Sequence, residues 1–342
     1  MNIVFKITLT LSLALVNLFT FGMKDSATVS YEHQCSNHVT WGFYGHKRIN
    51  RMAVFTLQPE IFTFYKKHIE FLTDHAVDPD KRRYAAKGEA ARHYIDIDHY
   101  VPQGEDPFQV MPKKWNDAVA KFTEDTLQAY GIVPWHMDIM MFRLTKAFKE
   151  KNLDRILSLS ADLGHYIGDA HVPLHTTENY NGQMTNQKGI HGFWESRIPE
   201  LMADDYDYLV GTAVYIADPL EVSWDVVKQS HYALDSVLRF EKELSEEFPE
   251  DKKYSIEQRG AMVMKVYSEE FSIEYARRLN GMQERRMTSA ILTVGSFWYT
   301  AWVNAGQPDL SEVTAAVSED LKKEQEANDK WFRGGKIFGR EH

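Results

Sequence analysis

The chain has 342 residues, 44% hydrophobic and 13% aromatic, enough to bury one large core or two modest ones, which excludes a disordered polypeptide. A formal charge of −10 excludes a broad basic face of the kind that grips nucleic acid through its phosphates alone. Cys35 is the sole cysteine, so no disulfide forms within the chain, and stability has to come from other sources, the core first.

In chain order, residues 1–22 carry one lysine, Lys6, and then the apolar run ITLTLSLALVNLFTFG. That run has the length of a secretory signal core and is too short to span a membrane, so a cleaved signal peptide is expected over 1–22. The protein is then exported, to the periplasm or beyond, with 23–40 as an N-terminal extension. Cys35 follows Glu32, His33 and Gln34 where a lipid anchor would need small residues. Apolar residues then recur at three- and four-residue spacing through Ile49–Leu57, Phe62–Leu72, Leu153–Ile167 and Tyr267–Leu279, which predicts helices. Breakers separate them: Pro59, Pro79, the stretch from Pro102 to Pro112, Pro134, the Asn179–Gly189 loop and Pro219. With few strand signals, no repeat and no Gly/Ser linker, the expectation is an all-α chain with a single compact multi-helix domain over 41–305. The strongly charged 306–342, with LKKEQEANDKWF, reads as a solvated terminal helix.

Chemistry concentrates between His165 and Glu200, in HYIGDAHVPLH and IHGFWESRIPE. His165 with Asp169 and His191 with Glu195 are four residues apart, so on a helix each pair shares a face and can close on one cation. Imidazole nitrogens beside carboxylate oxygens suit zinc. His175, just past Pro173, reaches a second ion from the end of the helix, which implies a cluster of metals. His46, Asp78 and His93 are further candidates upstream, whereas His33, His68, His136 and His231 read as ordinary histidines. Polar ligands packed among Tyr166, Ile167, Leu174 and Trp194 are costly to bury unless a metal satisfies them. Two or three Zn²⁺ set against Asp78, Asp169 and Glu195 leave a positive pit on an acidic protein, attractive to a phosphate.

Taken in order, Trp-x-x-x-x-His at Trp41 and His46, a proline-flanked Asp at Asp78, His-Tyr-Ile-Asp from His93, His-x-x-x-Asp-x-x-x-x-x-His from His165 and the final His191-x-x-x-Glu195 resemble the superfamily of zinc-dependent phospholipase C and the S-one/P-one single-strand nucleases. The resemblance implies an all-helical domain with a metal cleft. Asp78, His93, His165 and Asp169 would hold the first zinc; His175, His191 and Glu195 the second; Trp41, His46 and the shared Asp169 the third. It also implies hydrolysis of P–O ester bonds by a metal-bridging hydroxide, with no protein nucleophile. Two features depart from the pattern. The family's Trp is the mature N-terminus, whereas Trp41 lies well past the signal, so the ion count is two or three according to whether a second cleavage exposes it. Glu195 stands where the nucleases usually carry Asp and the phospholipases Glu. The Trp41–His46 and Asp78–His93 spacings, and His171, look like the nuclease branch, in which Tyr94 and Asp96 would stack and hydrogen-bond a base. Lys81, with Arg82 and Arg83, reads either as a contact to the scissile phosphate or as the solvated start of a helix.

His-Asp dyads, Glu-x-x-His and His-Glu-x-x-His, the marks of other helical metal enzymes, do not occur. The sequence therefore reads as an exported zinc-dependent phosphodiesterase, a hydrolase leaning toward single-strand endonuclease or nucleotidase action. The alternatives are a phospholipase C and a non-catalytic zinc-stabilised scaffold. The expected partner is a phosphodiester substrate, single-stranded nucleic acid or phospholipid, and no protein partner is inferable.

Overall fold

A computed structural model describes residues 41–259, 262–311, 313, 316–335 and 337–338, with the side chains of Trp41, Gly42, Arg259 and Met262 outside the description. The expected signal and extension lie outside the described residues. The helices in order are α1 (Trp41–Ala53), α2 (Pro59–Lys67), α3 (Ile69–Asp74), α4 (Asp78–Arg82), α5 (Trp115–Phe122), α6 (Glu124–Tyr130), α7 (Val133–Lys149), α8 (Leu153–Ala170), α9 (Ile190–Gly192), α10 (Ile198–Met202), α11 (Pro219–Glu247), α12 (Glu269–Arg278), α13 (Met282–Asn304) and α14 (Glu319–Arg333). The all-α expectation holds, with one exception: β1 (Tyr254–Arg259) and β2 (Met262–Tyr267) form an antiparallel hairpin in which Tyr254 faces Tyr267. Among the described residues no helix is long and apolar enough to cross a membrane.

α8 is the axis of the core. The Asn152 side chain caps its start by accepting from the Arg155 N–H. From Leu163 to Ala170 every residue is buried, because α1, α7 and α13 pack around it. Small residues make the α1 contact possible: a Cβ at Gly164 would lie 1.9 Å from Asn50 Oδ1, and one at Gly168 would lie 2.7 Å from His46 Nδ1. Asn50 uses the close approach to donate to the carbonyls of Ala161 and Leu72. Opposite, Trp298 of α13 stacks on Tyr65 at 4.7 Å and donates to the Ser160 carbonyl.

Three expectations are corrected. The run from Tyr267 begins as the last residue of β2, and the helix starts only after Ser268, whose hydroxyl accepts from the Phe271 N–H. Apolar spacing cannot tell a strand entering a helix from a longer helix. The run Phe62–Leu72 breaks at His68 into α2 and α3. The tail forms a helix, as expected, but α14 is not merely solvated. It packs on α4, with Phe332 5.2 Å from the Tyr84 ring and 5.5 Å from that of Phe43.

Candidate metal centre

The candidate ligands come from α8 itself and from several other elements aimed at its last two turns. His165 and Asp169 share a face there, as the i,i+4 spacing requires. α1 supplies His46, a 3-10 turn at Ala90–Arg92 delivers His93, and a second one at Pro173–Thr176 carries His175. His191 lies in α9, and Glu195 in a π-helical turn at Phe193–Arg197, where the helix swells instead of continuing as a plain α-helix. The hairpin braces this turn: Tyr267 stacks on Phe193 at 3.9 Å, and Arg197 donates to the Tyr267 carbonyl.

Asp169 is the hub. Its Oδ2 lies 2.9 Å from His93 Nδ1 and 3.2 Å from His165 Nε2, and its Oδ1 lies 3.2 Å from His46 Nε2. In a second group, Glu195 Oε1 is 2.9 Å from His175 Nε2, Oε2 is 3.0 Å from His191 Nε2, and the two imidazole nitrogens are 3.2 Å apart. Zinc bonds of about 2.0–2.1 Å in a tetrahedron place ligand atoms about 3.3 Å from one another. Both groups match that edge length.

The outer ring nitrogens show what the inner ones offer. His165 Nδ1 donates to the Ala76 carbonyl at 2.9 Å, His175 Nδ1 to the His93 carbonyl at 2.6 Å and His191 Nδ1 to the Tyr180 carbonyl at 3.1 Å. A carbonyl only accepts, so each neutral ring keeps its lone pair on Nε2, turned inward. His175 and His191 thus face each other and Glu195 with lone pairs alone, an arrangement that a cation resolves. In the absence of metal, positive charge on the imidazoles takes the cation's part: burial raises the Glu195 carboxyl, but His191 and His175 outweigh it and draw it down to about 2. Asp169, raised by burial, is likewise pulled well below the carboxylate range by His165, His175 and His46.

The S1/P1 nuclease family model matches residues 41–293. The chain belongs to the S1/P1 nuclease family. A search among curated proteins finds no match. Membership makes this nuclease a hydrolase of phosphodiester bonds with nucleic acid as its substrate, and the family is metal-dependent, in keeping with ligand groups that could hold metal.

One expected ligand is displaced in this nuclease. Asp78 is turned away from the histidines: its Oδ2 is 2.7 Å from His75 Nδ1, and its Oδ1 accepts from Lys81 Nζ at 3.1 Å. Asp80 takes the place, with Oδ1 3.7 Å from His165 Nε2 and 3.8 Å from His93 Nδ1. On α4 the two aspartates are two residues apart and so point to nearly opposite sides. Sequence spacing to His93 cannot choose between them. Among the described residues the groups are therefore His46, His165 and Asp169; Asp80, His93 and His165; and His175, His191 and Glu195. Trp41 begins α1, with its side chain outside the description. His171 stays out of the groups, bonded to the Ile167 carbonyl and Ser289.

Beside the metal groups the nuclease has a cleft of about 610 Å³ lined by Tyr94, Asp96, Tyr130, Glu178, Tyr180 and Phe338, among others. The two residues expected to meet a base are thus in its wall. Gly131 keeps the wall in place: its φ is +94°, and a Cβ there would fall 2.2 Å from the Tyr94 carbonyl oxygen. Lys81 is not in the cleft wall. Its ammonium is held between Asp78 and Asp329. Sequence reasoning missed Asp80, Tyr130, Tyr180 and Phe338. Only Asp80 carried a signal, as the second acid of Asp-Pro-Asp.

Proposed function

We propose that this S1/P1 nuclease is an exported, zinc-dependent phosphodiesterase acting on single-stranded nucleic acid or nucleotides. The observation that carries the reading is the convergence of imidazoles and carboxylates on Asp169 beside a cleft walled by Tyr94 and Asp96. Bound zinc supplies Lewis acidity and an activated water, so the chain needs no nucleophile of its own. The protein's part is to hold and aim. Asp169 ties the groups together, the carbonyls of Ala76, His93 and Tyr180 fix the inward-facing nitrogens, and the low carboxyl pKa values keep the acids ionised. Tyr94 stacks the base next to the scissile phosphate, and Asp96 accepts a hydrogen bond from it. Two ions bind while Trp41 is internal, because an amide nitrogen is a poor ligand, and a third joins when cleavage frees its amino group.

Zinc-loaded protein offered single-stranded DNA, RNA and a short-chain phosphatidylcholine side by side is expected to cut the nucleic acids. Glu195, the acid typical of the lipid-cleaving branch, favours a second reading: diacylglycerol release with nucleic acid untouched would make the protein a phospholipase C. Inertness toward all three would leave a zinc-stabilised scaffold.

A further inference from the structure

The C-terminal segment lies beyond residues 41–293, the reach of the family model, yet it is bound to the site at several points. Ser318 opens α14: its N–H donates to Asp154 Oδ1 at the start of α8, and its hydroxyl accepts from the Leu321 N–H. Asp329 then pairs with Lys81 at 2.8 Å, and Phe332 enters between Phe43 of α1 and Tyr84. Gly334 closes the helix onto the Lys330 and Trp331 carbonyls, and Gly335, at φ +73°, turns the chain back as a left-handed helix end allows. Two residues later the Phe338 N–H donates to the Arg83 carbonyl at 2.8 Å, and Phe338 joins the wall of the cleft that contains Tyr94 and Asp96. The contacts made by Asp329, Phe332 and the Phe338 N–H fall on or beside α1 and α4, the elements that carry His46 and Asp80.

We propose that Phe338 is a specificity-determining residue, a wall against which a nucleobase of the substrate is held, so that the C-terminal segment is part of the substrate site. This rests on the nuclease reading above. Four of the residues that line the cleft carry flat rings, Tyr94, Tyr130, Tyr180 and Phe338, and its exposed lining is mostly apolar, with Lys87, Asp96, Gln128 and Glu178 among the polar residues. Such a lining selects planar, π-faced ligands by stacking, with little dependence on which base is present. The Asp329–Lys81 pair and Phe332 hold the segment so that Phe338 is already in place before substrate arrives, which lowers the ordering cost of binding.

The test compares a single-stranded oligonucleotide with an abasic phosphodiester of the same length, using zinc-loaded full-length protein. In Phe338→Ala the KM for the base-bearing substrate is expected to rise about five-fold or more, as loss of one stacking partner predicts. The abasic KM, kcat and zinc content stay as in the wild type, and Phe338→Tyr restores the base-bearing KM. A change in KM that is equal for the two substrates, or a loss of zinc with kcat, would mean that Phe338 only supports the fold. Wild-type activity with no change in the variant sinks this role alone. A wild type that hydrolyses neither substrate removes the nuclease reading and this inference together.

Discussion

Asp169 lies within 3.2 Å of His46, His93 and His165 and is almost wholly buried, a position that would be costly for a carboxylate without positive charge around it. Its pairing with His165 was legible, since residues four apart on a helix must share a face. The choice of acid in Asp78-Pro79-Asp80 was not, because it depends on how α4 is rotated about its axis. The two aspartates therefore separate in a direct experiment. Asp80→Asn should weaken zinc binding about 10-fold or more, since it removes a negatively charged oxygen 3.7 Å from His165 Nε2. Asp78→Asn should retain zinc and cost about 1–3 kcal/mol of stability through the lost charge-assisted bonds to His75 and Lys81. Zinc titration and thermal unfolding of both variants decide the matter, and the reverse pattern would restore Asp78 as the ligand.

The α1–α8 contact sets the distance between His46 and Asp169. Gly168 allows it, as a Cβ there would meet His46 Nδ1 at 2.7 Å. Gly168→Ala should push the imidazole away and destabilise the protein by about 1–3 kcal/mol through overpacking, less about 1 kcal/mol returned by helix propensity. In protein cleaved to begin at Trp41, thermal stability and zinc stoichiometry should fall together, from three ions to two, and an unaltered zinc count would show that His46 binds no ion. Among the elements, α8 was readable because its apolar residues recur on one face and Asn152 caps its start. The π-helical turn at Phe193–Arg197 was not, because it is held by tertiary partners, with Tyr267 stacked on Phe193 and the Trp194 carbonyl accepting from Gln283. The charged surface of α14 hid its docking, which depends on Phe332 and on one ion pair with Lys81.

Across the whole molecule, metal and protons compete for the same nitrogens. Without metal, burial lowers His165, but Asp169 and Asp80 reverse this and lift it from 6.5 to about 9. A raised pKa stabilises the fold fully below 6.5 and loses that contribution as pH rises through about 9. Glu195 has the opposite sign: drawn from 4.5 to about 2, it stabilises above 4.5 and loses its contribution as pH falls toward 2. Metal-free protein should therefore lose stability between pH 6.5 and about 9 on account of His165. Zinc requires deprotonated imidazole, so the zinc-loaded protein should gain over the same interval. Thermal unfolding with zinc and with a chelator should show the gap in Tm widening as pH rises, and parallel curves would exclude His165 as a shared site for proton and metal.

Ligand types, their pairing along α8 and the helical class follow from the chain alone, because each depends on residues a few positions apart: His165 with Asp169, His191 with Glu195, and apolar residues recurring at the helical period. Convergence does not. His46 and Glu195 are separated by 149 positions in the chain, and they belong to one centre only because α1 closes on α8 through Gly164 and Gly168 while the hairpin holds the π-helical turn against the same core. The same holds for Asp80 over Asp78, and for Phe338 in the cleft with Tyr94. Side-chain direction is set by the packing of whole elements, and local sequence does not encode that rotation.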